Sequence, residues 1–344
     1  MVSFSIVITT YKRLPFLKQA IEKSLNQTQP CEVVIVDDCS NDGTEEYVRS
    51  LKDPRIVYHR NPQNLGHSPS VNEGVRIASG EWIKFLDDDD YLAPNCIEVM
   101  SKVISQHPQA AICSAQAFQI DPEGTELSCT QKVGQAPAFF VLQEDIHYGM
   151  LIEMLPFGTP VQVAAKKTAF FQSGGWDVNL NGNYDDIDSW IKIAEHGDAL
   201  FINQPLAHRT IHPGCVTQQL SLEKRLKTNI EIKQKIYDRV HDKYKPQLPK
   251  SNDVQKFLEL YWGLVGLKEG KIFPALRLIY PSLFSPTTFG RLAQTMYQRR
   301  LQKQALKLTP ESETKEPLSL SNEKLFWVLP PTQNQIQNAT PTTV

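Results

Sequence analysis

The sequence lacks the features that would identify several common classes of protein. Its six cysteines among 344 residues form no CxxC pair. Neither a zinc site nor a disulfide framework is therefore expected, and the pattern predicts a reduced, cytoplasmic protein. No GxGxxG follows the first apolar segment, which argues against a dinucleotide-dependent dehydrogenase. The formal net charge of -2 provides no long-range field for nucleic acid, so no nucleic-acid partner is expected.

Long apolar runs are also absent. The most apolar window, residues 257–267, contains Glu259 and is too short to cross a bilayer. Hydrophobic residues make up 41% and charged residues 22% of the chain, which is typical of a globular protein. A chain of 344 residues has room for one large or two ordinary domains.

The first half of the sequence contains an alternation of short apolar runs and segments of helical periodicity. The apolar runs predict buried strands, and the periodic segments predict helices between them. This alternation is typical of an α/β fold in which a mainly parallel sheet is covered by helices on both faces. The predicted strands lie at residues 4–11, 32–36, 56–59 and 82–86.

The strand predicted at residues 82–86 ends abruptly in four carboxylates, at residues 87–90. In an open α/β sheet, ligands bind beyond the carboxyl ends of the strands. Adjacent carboxylates repel one another and take up protons unless a cation keeps them ionised. A hard divalent ion with oxygen ligands would be the natural partner. The alternative is a solvated acidic turn that caps the helix predicted at residues 95–107.

Five short motifs carry a more specific signal when they are taken in order. They lie at residues 5–11, 36–44, 64–66, 80–82 and 86–90. Together they resemble the motifs of the family 2 glycosyltransferases, which have the GT-A fold. The resemblance covers about residues 3–217 and fades beyond them. It implies an enzyme that uses a nucleotide-sugar donor and is built on a Rossmann-like sheet.

The resemblance implies that Thr9, Tyr11 and Asp38 hold the nucleoside of the donor. The residue types suit this role. Tyr11, at a strand end, can offer a π-face to the base. Asp38 can accept a hydrogen bond from an N–H on the edge of uracil or thymine, and Thr9 supplies a hydroxyl. Without the motifs, Tyr11 is equally consistent with packing at a strand end and Asp38 with a turn former.

The acidic run matches the family's Asp-x-Asp-Asp motif. The resemblance implies that Asp87 lies close to the ribose or the metal and that Asp88, at the variable position, also belongs to the nucleotide-sugar site. It implies that Asp89 binds Mn²⁺ or Mg²⁺. Residues 207–217 resemble a family loop that closes over the diphosphate or metal. Within it, His212 is the best match for a second metal ligand, although a lone histidine is as consistent with a structural role.

A helix is predicted to begin at Asp185, and Asp186 matches the acid that serves as catalytic base in the family. The helix dipole is expected to favour the ionised form of Asp186, although the same position also suits a routine cap. The implied reaction is an inverting transfer of a sugar from a nucleoside-diphosphate sugar, with UDP favoured. The acceptor would be a hydroxyl of a glycan or lipid-linked molecule, in polysaccharide, glycolipid or surface-glycan synthesis.

Two other functions remain open. A sugar nucleotidyltransferase also combines a nucleotide-binding sheet, carboxylates and Mg²⁺. It would carry a glycine-rich basic loop after the first strand, but residues 9–15 contain no glycine. A non-catalytic nucleotide-sugar-binding protein would be favoured if Asp89 or Asp186 were missing, and both are present.

One departure from the family pattern concerns the diphosphate. The family often has an arginine directly before Asn72, where this chain has Val71, which cannot bind a phosphate. Lys12, Arg13 and Arg76 are the candidates to replace it.

The composition changes after the region of resemblance, which predicts three parts: a catalytic domain (1–217), a helical region (218–308) and a disordered tail (309–344). Residues 291–307 have a basic amphipathic pattern that suits either an anionic membrane surface or a solvated helix face. The first alternative would place the cytoplasmic protein at the inner face of a membrane.

Overall fold

The computed structural model describes residues 2–134, 136–180, 184–212, 221–248 and 250–280. Ten strands in these ranges join into one sheet. The strands are β1 (Phe4–Thr10), β2 (Glu32–Asp37), β3 (Ile56–Arg60), β4 (Trp82–Asp87), β5 (Tyr91–Leu92), β6 (Ala110–Ile120), β7 (Glu126–Cys129), β8 (Ala138–Val141), β9 (Val163–Lys166) and β10 (Asp198–Thr210). Their order across the sheet is β3-β2-β1-β4-β9-β6-β10-β5, with β7 paired to β6 and β8 paired to β10.

Helices connect most of these strands. They are α1 (Leu14–Leu25), α2 (Thr44–Ser50), α3 (His67–Ile77), α4 (Cys96–Ser105), α5 (Gln143–Leu151), α6 (Lys167–Gln172), α7 (Asp185–Ile193), α8 (Leu222–Asp238), α9 (Ser251–Lys268) and α10 (Ile272–Ile279). Within the ranges that the structure describes, no helix has both the length and the apolar character needed to cross a membrane.

The half of the sheet that contains the first strands is parallel. β1 pairs in parallel with β2 and β4, and β2 pairs in parallel with β3. The strand β9 then lies antiparallel between β4 and β6. The register places Thr9 beside both Val36 and Asp87, and Thr10 beside Asp37. The carboxyl ends of three parallel strands therefore meet at one edge, where a ligand site is expected.

The sheet is covered on both faces, as the continuous apolar strands predicted. Along β1, Ile6 and Ile8 belong to one buried cluster, together with Leu17 and Ile21 of α1. Val7, which points the other way, belongs to the cluster on the opposite face. Side chains alternate between the two faces of a strand, so a run of apolar residues can serve two cores. The predicted α/β class with a sheet between helical layers is confirmed.

Several elements differ from the sequence-based prediction. The helix α3 had no predicted counterpart, because its Pro69 and Gly74 are poor helix formers. Gly74 is required there, since a Cβ would lie 2.4 Å from Val7 Cγ1. The prediction of a loop at residues 207–217 is wrong for residues 207–210, because β10 continues to Thr210. Residues 128–139, for which no element was predicted, include parts of β7 and β8.

The C-terminal region is described only in part. Helix α8 buries Ile232 and Ile236 in the same core cluster as Val7, so it packs on the sheet domain. The basic segment predicted at 291–307 and the tail predicted at 309–344 lie outside the described residues. The domain boundaries given above therefore remain predictions.

A buried lysine lies within β4. The side chain of Lys84 is fully buried, and its Nζ donates to the carbonyl oxygens of Phe85 (2.8 Å) and Val161 (2.7 Å). Two further carbonyls, of Pro160 and Val163, lie 3.2 Å away. Burial lowers the pKa of Lys84 to about 8. The ammonium thus ties the central strand to the turn that precedes β9.

We expect the variant Lys84→Met to keep the fold but to lose about 2 kcal/mol or more of unfolding free energy, because it leaves buried carbonyls without a donor. Chemical denaturation monitored by circular dichroism measures this loss. The matched control is Lys102→Met on the exposed face of α4, which should change stability by less than about 0.5 kcal/mol. Equal stability of the two variants would contradict the structural role of Lys84.

Candidate active site

A cleft of about 400 Å³ opens at the edge where the parallel strands end. It brings together residues that lie far apart in the sequence, from the first strand to the end of β10. Seven of the eight predicted site residues line it, namely Thr9, Tyr11, Asp38, Asp87, Asp88, Asp89 and Asp186. The eighth, His212, contacts the cleft through its ring, because Nε2 lies 3.0 Å from Oδ2 of Asp89.

At the predicted nucleoside end, Asp38 is engaged by its own chain. Its Oδ1 accepts hydrogen bonds from the side chain of Asn61 and the backbone N–H of Leu65, both at 2.8 Å. Its Oδ2 accepts the N–H of Gly66 at 2.8 Å. Asp38 therefore holds the loop that leads into α3, in addition to any contact with a base. Tyr11 beside it is 39% exposed, with Lys12 Nζ 5.0 Å from the ring centre.

The acidic run is held by partners from two other elements. Thr10 donates its hydroxyl to Asp88 at 2.7 Å, and Arg13 at the start of α1 pairs with both Asp88 (3.3 Å) and Asp89 (2.8 Å). Burial and the charge of Asp89 raise the pKa of Asp88 to about 7. A cation bound at the run would favour the ionised form of Asp88.

The last carboxylate of the run, Asp90, serves the neighbouring strand. Its Oδ1 accepts the backbone N–H of Thr210 at 2.8 Å, and the hydroxyl of Thr210 donates to the backbone oxygen of Asp89. Burial and the charges of Asp89 and Asp87 raise the pKa of Asp90 well above its usual value. The end of β10 is thereby tied to the acidic run, which brings His212 next to Asp89.

Asp89 and His212 are the described residues best placed to hold a divalent ion. Their facing atoms are 3.0 Å apart, which suits two neighbouring ligands of one ion with short bonds. The described residues contain no ready cluster of three or more such ligands. A magnesium-like ion usually has only one or two protein carboxylates and takes its remaining ligands from substrate phosphates and water. The donor set therefore fits a metal that arrives with a diphosphate.

The sequence analysis missed a histidine at the centre of the cleft. His67, the first residue of α3, contacts Asp87 through Nε2 (3.0 Å) and Asp185 through Nδ1 (3.3 Å). The neighbouring hydroxyl of Ser68 also donates to Asp185, at 2.7 Å. The two carboxylates that His67 contacts lie 20 and 118 residues away along the chain, so no local pattern could have indicated that His67 connects them.

Asp186 lies in the first turn of α7 and is half-buried, with its side chain lining the cleft. Its Oδ1 accepts the backbone N–H of Ile187 at 2.7 Å. Burial and the charge of Asp185 raise the pKa of Asp186 to about 7. The expectation that the helix dipole would favour its ionised form was wrong in direction, because desolvation outweighs the N–H contact. A pKa near 7 suits a general base.

The structure also sorts the candidates for the missing arginine. Val71 is buried in the core, and Arg76 pairs with Glu73 outside the cleft. Arg13 lines the cleft and faces the acidic run. Arg209 near the end of β10 also lines the cleft, and the sequence analysis did not single it out. Arg13 and Arg209 are thus the two arginines among the described residues that line the cleft.

The acidic cleft lies at the carboxyl ends of parallel strands, which is where α/β proteins with open sheets bind their ligands. Residues 5–153 match the family model described as glycosyl transferase family 2. The uncharacterized glycosyltransferase YwdF of Bacillus subtilis is 30% identical over 198 residues, which are 56% of this chain and 68% of that protein. Several other curated glycosyltransferases align over less than half of their own length. The chain belongs to glycosyltransferase family 2.

Solved structures agree with the family at the level of the fold. S. aureus TarS 1-349, in complex with UDP-GlcNAc, is 16% identical and matches with a TM-score of 0.60 over 82% of this chain and 79% of that one. The mannosyltransferase PcManGT from Pyrobaculum calidifontis, in complex with GDP-Man and Mn²⁺, is 18% identical. It matches with a TM-score of 0.54 over 89% and 86%. The fold expected from the sequence motifs is confirmed.

The contacts of Asp38 lead to a test of the nucleoside end. We expect Asp38→Asn to weaken the binding of free UDP, with or without metal, because an amide cannot accept all three N–H groups that now hold the loop. Calorimetric titration measures the affinity. Glu46→Gln, on the exposed side of α2, is the control and should bind UDP like the parent. Unchanged affinity of Asp38→Asn would remove this residue from the site.

Proposed function

We propose that this protein is an inverting glycosyltransferase that moves a sugar from a nucleoside-diphosphate sugar to an acceptor hydroxyl. The observation that carries the proposal is the position of Asp186. It lies in the same cleft as the acidic run and the predicted nucleoside end, it is half-exposed to that cleft, and its pKa of about 7 suits a base at neutral pH.

The reaction needs one base and one displacement. Asp186 takes the proton of the acceptor hydroxyl, and the oxygen attacks the anomeric carbon from the face opposite the nucleotide. The bond between that carbon and the diphosphate oxygen breaks, and its electron pair leaves with the nucleoside diphosphate. A single displacement of this kind inverts the anomeric centre and needs no covalent enzyme intermediate. Asp188, a further acid in the first turn of α7, pairs with Lys192 and Lys235 and is therefore poorly placed to act instead.

The residues of the cleft also divide the donor between them. Asp89 and His212 would hold a divalent cation, Mn²⁺ or Mg²⁺, which supplies positive charge for the leaving diphosphate when it is bound. Arg13 and Arg209 add charge from the protein, in place of the arginine missing at Val71. That PcManGT was solved with Mn²⁺ and a nucleotide sugar supports the assignment of the metal.

The donor base and the acceptor follow less directly. A UDP-sugar is favoured because a carboxylate such as Asp38 can accept a hydrogen bond from an N–H of uracil, and the complex of TarS with UDP-GlcNAc supports this choice. PcManGT was solved with GDP-Man, so guanine is the second candidate for the donor base. We propose a glycan or lipid-linked acceptor, and hence a role in surface-glycan synthesis at the cytoplasmic side of a membrane. A thermal-shift screen with UDP-, GDP- and TDP-sugars identifies the donor, since a ligand of the native state raises its apparent stability.

The base assignment makes the strongest prediction. Asp186→Asn nearly preserves shape and removes basicity, so we expect donor affinity to be kept while transfer falls by about 10²- to 10⁴-fold. In the parent, the rate should fall as the pH drops below about 7, because Asp186 then takes up a proton before it can act. Release of nucleoside diphosphate at saturating donor measures the rate, and calorimetry measures the affinity.

The control for this variant is Glu195→Gln, which removes an exposed carboxylate just beyond the other end of α7. It should transfer like the parent. Transfer by Asp186→Asn at the parental rate would place the base elsewhere. Donor binding by the parent without any transfer would instead favour the non-catalytic nucleotide-sugar-binding protein.

The metal assignment is tested at Asp89. We expect Asp89→Ala to remove the gain in nucleoside-diphosphate affinity that Mn²⁺ gives the parent, while metal-free affinity stays within about threefold, because the ion loses its carboxylate ligand. Titrations with and without Mn²⁺ compare the two, and circular dichroism checks the fold. An Asp89→Ala variant that still responds to Mn²⁺ like the parent would refute the assignment.

A further inference from the structure

The two ring nitrogens of His67 both face carboxylates. Nε2 lies 3.0 Å from Asp87 and Nδ1 lies 3.3 Å from Asp185. An ionised carboxylate only accepts hydrogen bonds, and a neutral imidazole donates through one nitrogen only. When both carboxylates are ionised, the two contacts are made together only if the ring carries two protons. Burial alone would lower the pKa of His67, but the hydrogen bonds to Asp185 and Asp87 outweigh it and raise the pKa well above its usual value.

This cation joins the two ends of the proposed reaction. Asp87 ends β4 and begins the acidic run on the donor side. Asp185 opens α7 and is the immediate neighbour of Asp186, whose backbone N–H it accepts at 3.2 Å. The side chain of Ser68 donates to the same oxygen of Asp185 as His67 does. The first turn of α3 therefore holds the first turn of α7.

A second contact fixes α3 against the segment that leads to α7. Asn72 exchanges two hydrogen bonds with the backbone of Trp176, each 2.9 Å long. The ring of Trp176 in turn meets the ring of His67 edge-on, with their centres 5.2 Å apart. Gly66, with φ of 94°, turns the chain so that His67 enters the cleft at the start of the helix. The imidazole of His67 is thus contacted by Asp87, Asp185 and Trp176.

We propose that His67 is a positioning residue for sugar transfer, which as an imidazolium holds Asp185, and through it Asp186, at a fixed distance from the donor end at Asp87. This inference rests on the proposed function. The family often has an arginine on this same helix, one turn after His67, at the position where this chain has Val71. The positive charge at the start of α3 comes from His67.

The inference is tested with the variant His67→Asn, which is neutral and too short to reach both carboxylates. We expect its turnover at saturating donor to fall on the order of 10- to 100-fold, because small displacements of a reacting group are costly. Its affinity for the nucleoside diphosphate should stay within about threefold. The donor is the sugar nucleotide that stabilises the parent most in the thermal-shift screen, and water or added sugar serves as acceptor.

The matched control is His59→Asn on β3. His59 is also partly exposed and faces a carboxylate, Glu73, at 3.6 Å, but it lies outside the cleft. Its turnover should equal that of the parent. Added imidazole should restore part of the rate of His67→Ala, a result that lost packing alone would not produce. Should His67→Asn fail to fold by circular dichroism, His67→Gln takes its place, since it keeps one of the two contacts.

A double-mutant cycle with Asp185→Asn decides whether the effect passes through Asp185. If it does, the double variant should be about as slow as the slower single variant, because both changes break the same link. Independent, multiplying effects would overturn the inference, and so would parental turnover by His67→Asn while Asp186→Asn is inactive. If the parent itself transfers no sugar, the proposed function fails and this inference fails with it, which the first assay shows before any His67 variant is compared.

Discussion

The repulsion within the acidic run at residues 87–90 is the constraint on which the site depends. Four consecutive carboxylates at the end of one buried strand are costly to ionise unless other groups surround them. Each side chain contacts at least one group from another element, so the run draws several elements to one point. These partners are His67 for Asp87, Thr10 and Arg13 for Asp88, Arg13 and His212 for Asp89, and the backbone of Thr210 for Asp90.

The same repulsion explains which helices and strands line the cleft. The starts of α1 and α3 and the end of β10 converge on β4 because each brings a donor to the acidic run. Burial and, after it, the charges of neighbouring acids raise the pKa of Asp88 to about 7 and that of Asp90 well above its usual value. A cation bound at the run would favour the ionised forms of these carboxylates. Metal and nucleotide are therefore expected to bind together.

Local patterns predicted the strands of the parallel half of the sheet and helices between them, and the resemblance to family 2 glycosyltransferases supplied the seven predicted residues that line the cleft. What they missed depends on distant contacts. Helix α3 contains Pro69 and Gly74, which are poor helix formers. Position 74 must nevertheless be glycine, because Val7 lies so close that no side chain fits there. The role of His67 depends on Asp185, 118 residues away. The pKa of Asp186 followed burial, which only the packed structure reveals.

Asp185 and Asp186 show how packing can divide roles between two identical neighbours. Asp185 is buried and its carboxylate accepts from Ser68 and His67, so its lone pairs are committed to the protein. Asp186 is half-exposed to the cleft and has a pKa of about 7, raised by burial and by Asp185 itself. The charge of Asp185 thus contributes to the raised pKa of Asp186, the base that we propose. The two acids are identical in sequence, and only the packed structure shows that their environments differ.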